Sequence, residues 1–361
     1  MNKVALFPGK YIQGAGVLTQ LPELIKSLGN KALMLASPTI KNTVLPAFPD
    51  TFVHDRLTID AFKGECCEEE LERVALLFRE IDADIMIGMG GGKTIDTAKI
   101  VADRVGKPVI IIPTIASSDA PCSGCAVAYN RSGHFEKVYY QKMNPAIVLV
   151  DMNIIAAAPA RFLVSGMGDA LATWFEARSC KTTNSMNECG GTSLLAGMQL
   201  ARLCYETLIK QGVTAKKDNA ANRITPALED ITEANILLSG IGFESGGLAA
   251  AHAVHNGLTM LEETHGFYHG EKVAFGVITG LHLTSAAAEE INQVYGFCEV
   301  VGLPTTLASI GIHEPLPEKL MQVAIKATEP GSSIHHEAMK VTPEKVVEAM
   351  VKANLTGKER E

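Results

Sequence analysis

Four of the ten histidines of this chain fall within one stretch, residues 242–272. They are His252, His255, His265 and His269, and much of the rest of the stretch is Ala, Gly, Leu and Val. Since such a background offers little else that coordinates or titrates, the four imidazoles are candidate metal ligands or proton carriers. The alternative is ordinary helix packing with a few buried, hydrogen-bonded histidines.

The spacing of these histidines limits which of them can meet. The first two are three residues apart and the last two are four apart, so each pair can share one face of a helix. On one unbroken helix, however, His252 and His269 would lie roughly 25 Å apart. We therefore hypothesise that a turn near residues 264–266 reverses the chain and brings these two imidazoles to one ion.

A carboxylate could complete such a metal site. Asp169 lies in GDALATWFEAR, residues 168–178, which is expected to open a helix, and an N-cap role would explain it without any metal. The partner of a capping box is missing because Ala172 stands three positions later. Asp169, His252 and His269 would give three N/O ligands and a vacant coordination position, as in catalytic zinc sites. Four other carboxylates compete for this role: Glu176, Glu244, Glu262 and Glu263.

A glycine-rich segment, GMGGGKT at residues 88–94, follows an apolar run and precedes a helical pattern. Its glycines allow the backbone to approach a pyrophosphate closely, and the start of the next helix offers unpaired N–H groups. Lys93 adds a full positive charge. The segment matches neither the Walker A loop nor GxGxxG, so a plain glycine-rich turn is the alternative. We favour phosphate binding because of the strand–loop–helix context.

A second polar cluster, PTIASSDAPCSGC at residues 113–125, follows another apolar run. Its hydroxyl groups could simply cap helices, whereas Asp119 could orient a hydroxylated substrate. The segment also contains a lone CxxC pair, Cys122 and Cys125. We interpret these as loop or buried thiols, not as a redox pair, because the motif lacks the usual helix context.

Short apolar runs alternate with amphipathic segments over the first 151 residues. The runs and segments predict strands at 31–37, 83–89, 108–112 and 146–151, and helices at 18–28, 68–81 and 94–105. This alternation predicts a parallel sheet covered on both faces, with ligands at the carboxyl ends of its strands. Because the strand signal then stops, we predict an α/β domain over residues 1–160 and an all-α domain over residues 161–361.

Composition excludes several classes of function. The 361 residues carry a formal net charge of -8 at pH 7, which gives no support for binding nucleic acid or an anionic membrane. No apolar run is long enough to span a bilayer. The eight cysteines are too sparse for a disulfide framework. We therefore expect a cytoplasmic protein with a small-molecule partner.

These motifs together resemble the glycerol dehydrogenases of the iron-containing, metal-dependent alcohol dehydrogenase superfamily. The resemblance runs over nearly the whole chain and rests on PGKYIQGA (8–15), GGGKTIDTAK (90–99), PTIASSDAPCS (113–123), GDALATWFEARSC (168–180), GFESGGLAAAHAVHNGL (242–258) and YHGEKVAFG (268–276). It implies a Rossmann-like N-terminal domain, an all-α C-terminal domain and a dehydroquinate synthase-like architecture. NAD and a divalent metal would lie in the cleft between the domains.

The resemblance also implies roles for individual residues. Asp169, His252 and His269 match the zinc ligands, and His255 then lies beside the site without binding the ion. Asp119 falls where the family contacts glycerol. The expected cofactor contacts are Ser37, Gly92, Lys93, Thr114, Ser117, Ser123, Cys125 and Tyr129.

Two of these positions depart from the family pattern. Ser37 stands where the family often has an aspartate that bonds the adenine-ribose hydroxyls. Losing that carboxylate removes repulsion against a 2′-phosphate, so we predict a weaker preference for NAD over NADP. Cys125 stands where leucine is common, which matters little if that position contacts the cofactor through its backbone.

The reaction implied by the resemblance is reversible oxidation of glycerol and related vicinal diols to dihydroxyacetone or its counterparts. A bound Zn²⁺, with Fe²⁺ as the alternative, would polarise the hydroxyl group for hydride transfer to NAD. Asp119 would orient the diol, and His255 or a solvent chain would carry the proton away. A homo-oligomer is expected, with an octamer as a candidate size.

Two other functions compete with this interpretation. One is a lyase or cyclase resembling dehydroquinate synthase, which typically surrounds its phosphorylated, carboxylated substrate with Lys and Arg. Here the segments PTIASSDAP (113–121) and YHGEK (268–272) are poor in such cations apart from Lys272. The other is a metal-stabilised scaffold in which the histidines are purely structural.

Overall fold

A six-stranded parallel sheet forms the first part of the chain in the computed structural model, which describes residues 2–45, 56–131, 133 and 135–361. The strand order is β1-β8-β5-β4-β2-β3, and all five pairings are parallel. These strands are β1 (Tyr11–Gly14), β2 (Ala32–Ala36), β3 (Leu57–Ala61), β4 (Ile85–Gly90), β5 (Val109–Pro113) and β8 (Ile147–Asp151). A separate antiparallel hairpin consists of β6 (Cys125–Tyr129) and β7 (Phe135–Tyr140).

Both faces of the sheet are buried, as the unbroken apolar runs predict. Within β2, Leu33 and Leu35 point into the larger hydrophobic core, whereas Met34 points into a smaller core on the opposite face. The helices of this half are α1 (Leu21–Leu28), α2 (Glu68–Glu80) and α3 (Gly92–Val105). The four predicted strands and three predicted helices are therefore present, with ends shifted by a few residues.

The remaining strands were not predicted. The edge strands β1 and β3 have partly exposed side chains and contain polar residues such as Gln13 and Asp60. Hairpin strand β7 is largely exposed. A strand with one poorly covered face lacks the continuous apolar run by which the central strands are recognised.

The chain after Asp151 is helical among the described residues. The helices are α4 (Met152–Ala157), α5 (Ala160–Thr183), α6 (Leu195–Ala220), α7 (Pro226–Glu233), α8 (Ser239–Gly246), α9 (Ala250–Leu258), α10 (His269–Leu283), α11 (Ala288–Val301), α12 (Pro317–Ala327) and α13 (Pro343–Arg360). None of the helices in the described part of the chain is long and apolar enough to span a membrane. The α/β and all-α fold class is confirmed, while the division at residue 160 stays a prediction.

Helix α5 begins earlier than the sequence suggested, and this corrects one interpretation. Its N-cap is Pro159, so Asp169 lies in the middle of the helix and the alternative of an N-cap role for it is wrong. Gly166 and Gly168 are glycines within α5, a residue type that destabilises a helix. Here they permit close packing, since a Cβ on Gly168 would lie 2.3 Å from the carbonyl oxygen of Gly270 in α10.

Candidate metal centre and cofactor-binding edge

Three helices position one carboxylate and two imidazoles at the same point. Asp169 comes from the middle of α5, His252 from the first turn of α9, and His269 from the first residue of α10. Between α9 and α10 the chain reverses through a short 3-10 helix, Glu262–Thr264, and the turn that follows it. The hypothesis of a helical hairpin that brings the two histidines together is thus confirmed.

The candidate ligand atoms of these residues lie within 4.8 Å of one another. The Oδ1 atom of Asp169 is 3.0 Å from Nε2 of His269 and 3.4 Å from Nε2 of His252. Neither contact has hydrogen-bond geometry, and Oδ1 is buried without a hydrogen bond among the described residues. Two nitrogens and an orphaned carboxylate oxygen that face one point fit a divalent ion with a further coordination position.

The electrostatics of the cluster favour an anionic Asp169. Burial raises the pKa of this carboxyl group, but the adjacent His269 and His252 outweigh burial and hold the pKa well below its usual range. Burial lowers the pKa of His252, but Glu176 and Asp169 reverse this and raise it well above its ordinary value. In the absence of an ion, a proton on His252 therefore offsets the buried negative charges.

Each of the two imidazoles has a hydrogen-bond partner on its far side. Nδ1 of His252 lies 2.6 Å from Oε2 of Glu176, and Nδ1 of His269 lies 3.0 Å from Nε2 of His255. Because Nδ1 of His255 pairs with the side-chain oxygen of Asn256 at 3.1 Å, His255 accepts the hydrogen bond from His269. Both Nε2 atoms are thereby directed at the shared point.

Burial, together with the neighbouring His269 and Lys272, lowers the pKa of His255 well below its usual value. His255 is therefore neutral near pH 7, which suits an acceptor of the His269 hydrogen bond. The fourth histidine is not part of the cluster. His265 is exposed, and its Nε2 lies 3.0 Å from the carbonyl oxygen of Thr259.

Three of the four competing carboxylates have other partners. Glu176 reaches the cluster, but at the far side of His252. Glu244 accepts hydrogen bonds from the backbone N–H of Gly124 and the side chain of Asn144. Glu263 forms a salt bridge with a lysine of α12, and Glu262 is exposed in the 3-10 helix.

The glycine-rich loop and the polar loop lie at the same edge of the sheet, because β4 and β5 are adjacent and parallel. The loop after β4 leads directly into α3, whose first turn contains no acidic residue and no side-chain cap. A Cβ on Gly90 would lie 2.9 Å from the side chain of Thr94, so glycine permits this tight turn. Gly92 is the first residue of α3, and a Cβ there would meet nothing within 4 Å. This geometry can bind a phosphate group.

Lys93 and Tyr129 lie against each other beside the start of α3. The ammonium group of Lys93 lies 2.6 Å from a carboxylate oxygen of Glu65 and 4.9 Å from the centre of the Tyr129 ring. On the neighbouring strand, Ser37 directly follows β2, and its N–H donates to the carbonyl oxygen of Met89. Ser37 is therefore one strand away from the glycine loop, where an adenosine ribose is expected in folds of this type.

Asp119 connects the polar loop to the cluster of Asp169, His252 and His269. Its N–H donates to Oδ2 of Asp169 at 3.3 Å, and its own Oδ2 accepts a hydrogen bond from Ser239 at 2.8 Å. Burial and the charge of Asp169 raise the pKa of Asp119 well above its usual value. A carboxyl group with this pKa can hold a proton beside the cluster and donate a hydrogen bond.

The remaining predicted cofactor residues line the polar loop. Thr114 donates its N–H to the carbonyl oxygen of Gly90, and the carbonyl oxygen of Ser117 accepts from Ser165 in α5. Ser123 is buried, and Cys125 begins β6. Burial raises the pKa of both Cys122 and Cys125, so neither is a ready thiolate and the loop-thiol interpretation is favoured.

Lys99 has a role that the sequence interpretation missed. Its side chain is fully buried on α3, and its ammonium group donates to the carbonyl oxygens of Ala120 and Cys125 and lies 3.5 Å from the hydroxyl of Ser123. The hydrogen bonds of Lys99 thereby hold in place the loop that carries Asp119. The available signal was a lysine on the apolar face of α3, where a charge needs partners.

Known proteins resemble this chain in sequence and in fold. The iron-containing alcohol dehydrogenase family profile matches residues 8–152. Glycerol dehydrogenase of Thermotoga maritima is 50% identical over 361 residues, which cover 100% of this chain and 99% of that protein. Glycolaldehyde reductase of Halobacterium salinarum is 44% identical over 365 residues, covering 99% of each chain.

Comparison with solved structures leads to the same relatives. The solved structure of a probable glycerol dehydrogenase from Sinorhizobium meliloti 1021 superposes with a TM-score of 0.94 at 44% identity, covering 99% of this chain and 100% of that one. Identity at this level over whole chains is specific to the family and exceeds a likeness of fold alone. The chain belongs to the iron-containing alcohol dehydrogenase family.

Proposed function

We propose that this protein is a glycerol dehydrogenase, which reversibly oxidises glycerol and related vicinal diols with NAD. The observation that carries the proposal is the convergence of Asp169, His252 and His269 beside Asp119, at the edge of the sheet where the glycine loop lies. The Thermotoga maritima relative, at 50% identity over the whole chain, bears the name glycerol dehydrogenase.

Asp169, His252 and His269 would hold the metal. We propose Zn²⁺, because two imidazoles and one carboxylate form a common zinc ligand set, although the same set accepts Fe²⁺. When bound, the ion supplies Lewis acidity that polarises a substrate hydroxyl group, and NAD supplies the hydride acceptor.

The residues of the chain would prepare this chemistry. The orphaned Oδ1 of Asp169 supplies the anionic ligand, and Oδ2 is occupied by the N–H of Asp119. Asp119 would bind a second hydroxyl of the diol and so fix its orientation. His255 would keep His269 in position through the hydrogen bond between the two rings, and a chain of solvent would carry the released proton away.

NAD would lie along the edge formed by the two loops. The start of α3, with Gly92 and Lys93, would bind the pyrophosphate, and Ser37 would face the adenosine ribose. The remaining cofactor contacts would come from Tyr129 and from four residues of the polar loop: Thr114, Ser117, Ser123 and Cys125.

The decisive assay measures NADH formation with glycerol before and after metal removal. The zinc-loaded protein is expected to form NADH only when glycerol is present, to lose this activity on complete chelation, and to regain it with zinc. Absence of glycerol-dependent NADH in the loaded protein would contradict the proposed substrate. Full activity after metal removal would contradict the metal mechanism and leave the fold assignment intact.

Glycolaldehyde is the substrate to test in the opposite direction. The Halobacterium salinarum relative, 44% identical, is named glycolaldehyde reductase. Oxidation of NADH with glycolaldehyde should therefore be compared with its oxidation with dihydroxyacetone. A much higher kcat/KM for glycolaldehyde would assign the protein to reduction of small hydroxyaldehydes, using the same site.

We further propose that the protein works as a cytoplasmic homo-oligomer, with an octamer as the size to test. Its eight cysteines are all free thiols, which suits a reducing compartment. Several large apolar side chains are exposed on the single chain, including Leu195, Met143 and Val300. Light scattering coupled to size-exclusion chromatography would measure the mass, and a monomer at micromolar concentration would contradict the oligomer.

A further inference from the structure

We propose that Glu176 is a positioning residue that sets the tautomer of His252 and thereby makes its Nε2 atom a metal ligand. The inference rests on the proposed metal site and adds to it the residue that controls one ligand. Glu176 lies on α5, seven residues after Asp169, so both carboxylates project from the same face of that helix.

The carboxylate of Glu176 contacts both the imidazole ring of His252 and the backbone at the start of α9. Oε2 lies 2.6 Å from Nδ1 of His252, while Oε1 accepts the N–H groups of Ala249 and His252, each at 2.9 Å. The side chain is only 2% exposed. The N-cap residue, Ala249, has no capping side chain, so Glu176 supplies the acceptor that this end of α9 lacks.

The direction of the hydrogen bond to the ring determines the tautomer. An ionised carboxylate can only accept, so the proton shared with the ring stays on Nδ1 of His252. The metal-binding imidazole then carries its lone pair on Nε2, which faces Asp169. The opposite tautomer would set the Nδ1 lone pair against Glu176 and point an N–H group at the metal position.

A matched control carboxylate lies at the same end of α9. Oε1 of Glu337 accepts the N–H of Ala250 at 3.2 Å, and its Oε2 accepts the hydroxyl of Ser179 at 2.7 Å. Glu337 is buried like Glu176, but its carboxylate contacts no histidine ring in the described part of the chain. A comparison of the two residues therefore separates support of the helix end from control of the imidazole.

The substitution Glu176→Gln tests the proposal with little change of shape. Glutamine can keep its oxygen on the two N–H groups of α9, but its amide group then faces Nδ1 and can only donate. That arrangement forces the proton of a neutral His252 onto Nε2. Zinc affinity, measured by chelator competition at mildly alkaline pH, is expected to fall about 10–100-fold. The circular-dichroism spectra of metal-free Glu176→Gln and Glu337→Gln are both expected to match that of the wild type, which would show that the helices are intact.

The control variant Glu337→Gln should bind zinc within about threefold of the wild type, since no ligand orientation depends on it. Wild-type affinity in Glu176→Gln, or an equal loss in both variants, would overturn the proposal. If the wild-type protein itself binds no zinc, the proposed function fails instead, so the two failures are distinguishable.

Neutron diffraction of the wild-type, zinc-loaded protein gives an answer even if Glu176→Gln does not fold. A deuteron is expected on Nδ1 of His252, directed at Oε2 of Glu176, with none on Nε2. A deuteron located on Glu176, or an unprotonated Nδ1, would overturn the proposal.

Discussion

Ser37 is the residue whose chemistry bears most directly on the choice of cofactor. It follows β2 beside the glycine loop, where a carboxylate would repel the 2′-phosphate of NADP. A serine hydroxyl is uncharged and can hydrogen-bond to either a ribose hydroxyl or a phosphate. The wild-type protein is therefore expected to turn over glycerol with NADP as well as NAD.

Ser37→Asp tests this expectation. The added charge should lower kcat/KM with NADP, relative to that with NAD, roughly tenfold, which corresponds to about 1.4 kcal/mol. Ser37→Asn is the matched control, because it adds a similar volume without a charge. NADPH binding, followed by fluorescence, gives a second measurement. If saturating NADP yields no turnover in the wild type, the reasoning about Ser37 is wrong.

His255 lies behind His269, one of the three proposed metal ligands. Its contact is with Nδ1 of His269, so His255→Ala is expected to lower kcat about 10–100-fold while the metal stays bound. His265→Ala serves as the control and should leave both quantities unchanged, because His265 bonds only to a backbone carbonyl at the surface among the described residues. Metal content is measured by elemental analysis after dialysis. Metal loss in either variant would reopen the ligand assignment.

At the scale of secondary-structure elements, the crossing of α5 and α10 determines where two of the proposed metal ligands, Asp169 and His269, meet. These helices approach so closely that a Cβ on Gly270 would lie 1.8 Å from the carbonyl oxygen of Ser165. The close approach brings the first residue of α10, His269, to Asp169. The glycines at this crossing therefore affect the geometry of the proposed metal site.

Gly270→Ala should separate the two helices. The added methyl group would meet backbone atoms of α5, which no side-chain rotation can move away. We therefore expect a destabilisation of about 1–3 kcal/mol. Zinc affinity should also fall, because Asp169 and His269 move apart. Gly266→Ala is the control, since a Cβ there meets nothing within 4 Å and its stability change should stay within about 0.5 kcal/mol. Unchanged zinc affinity in Gly270→Ala would contradict this account.

Across the whole molecule, Glu244 links the helical part to the sheet. From α8 it accepts the N–H of Gly124 at 2.8 Å and the side-chain amide of Asn144 at 2.7 Å, both in the segment that connects β5 to β8. Burial raises the pKa of Glu244 above its ordinary value of 4.5, although both hydrogen bonds oppose this. The loop that carries Asp119 is thus held by an acidic group that is costly to ionise.

The stability contribution of Glu244 should consequently depend on pH. Since its pKa is higher in the folded than in the unfolded state, its contribution is fully present below pH 4.5 and is lost as pH rises through the folded-state pKa. The Tm of the wild type, relative to that of Glu244→Gln, is expected to decrease over that range. A Tm difference that is constant with pH, or that increases, would contradict the assignment.

Local patterns in the chain were sufficient to identify the central architecture. Four apolar runs predicted the buried strands, because a strand covered on both faces must be apolar at every position. The separation of His252 and His269 required a reversal of the chain, since a continuous helix cannot bring them together. Both conclusions depend only on the geometry of single elements.

The partners of the site residues depended on how the elements pack. Asp169 and Glu176 lie on one face of α5, and helical spacing alone could not say which would meet Nε2 and which Nδ1 of His252. Likewise, Gly168 resembles a helix break in sequence, whereas α10 packs against it and makes it a point of close contact. Such choices depend on a neighbour distant in the chain, so they are decided only when the helices are assembled.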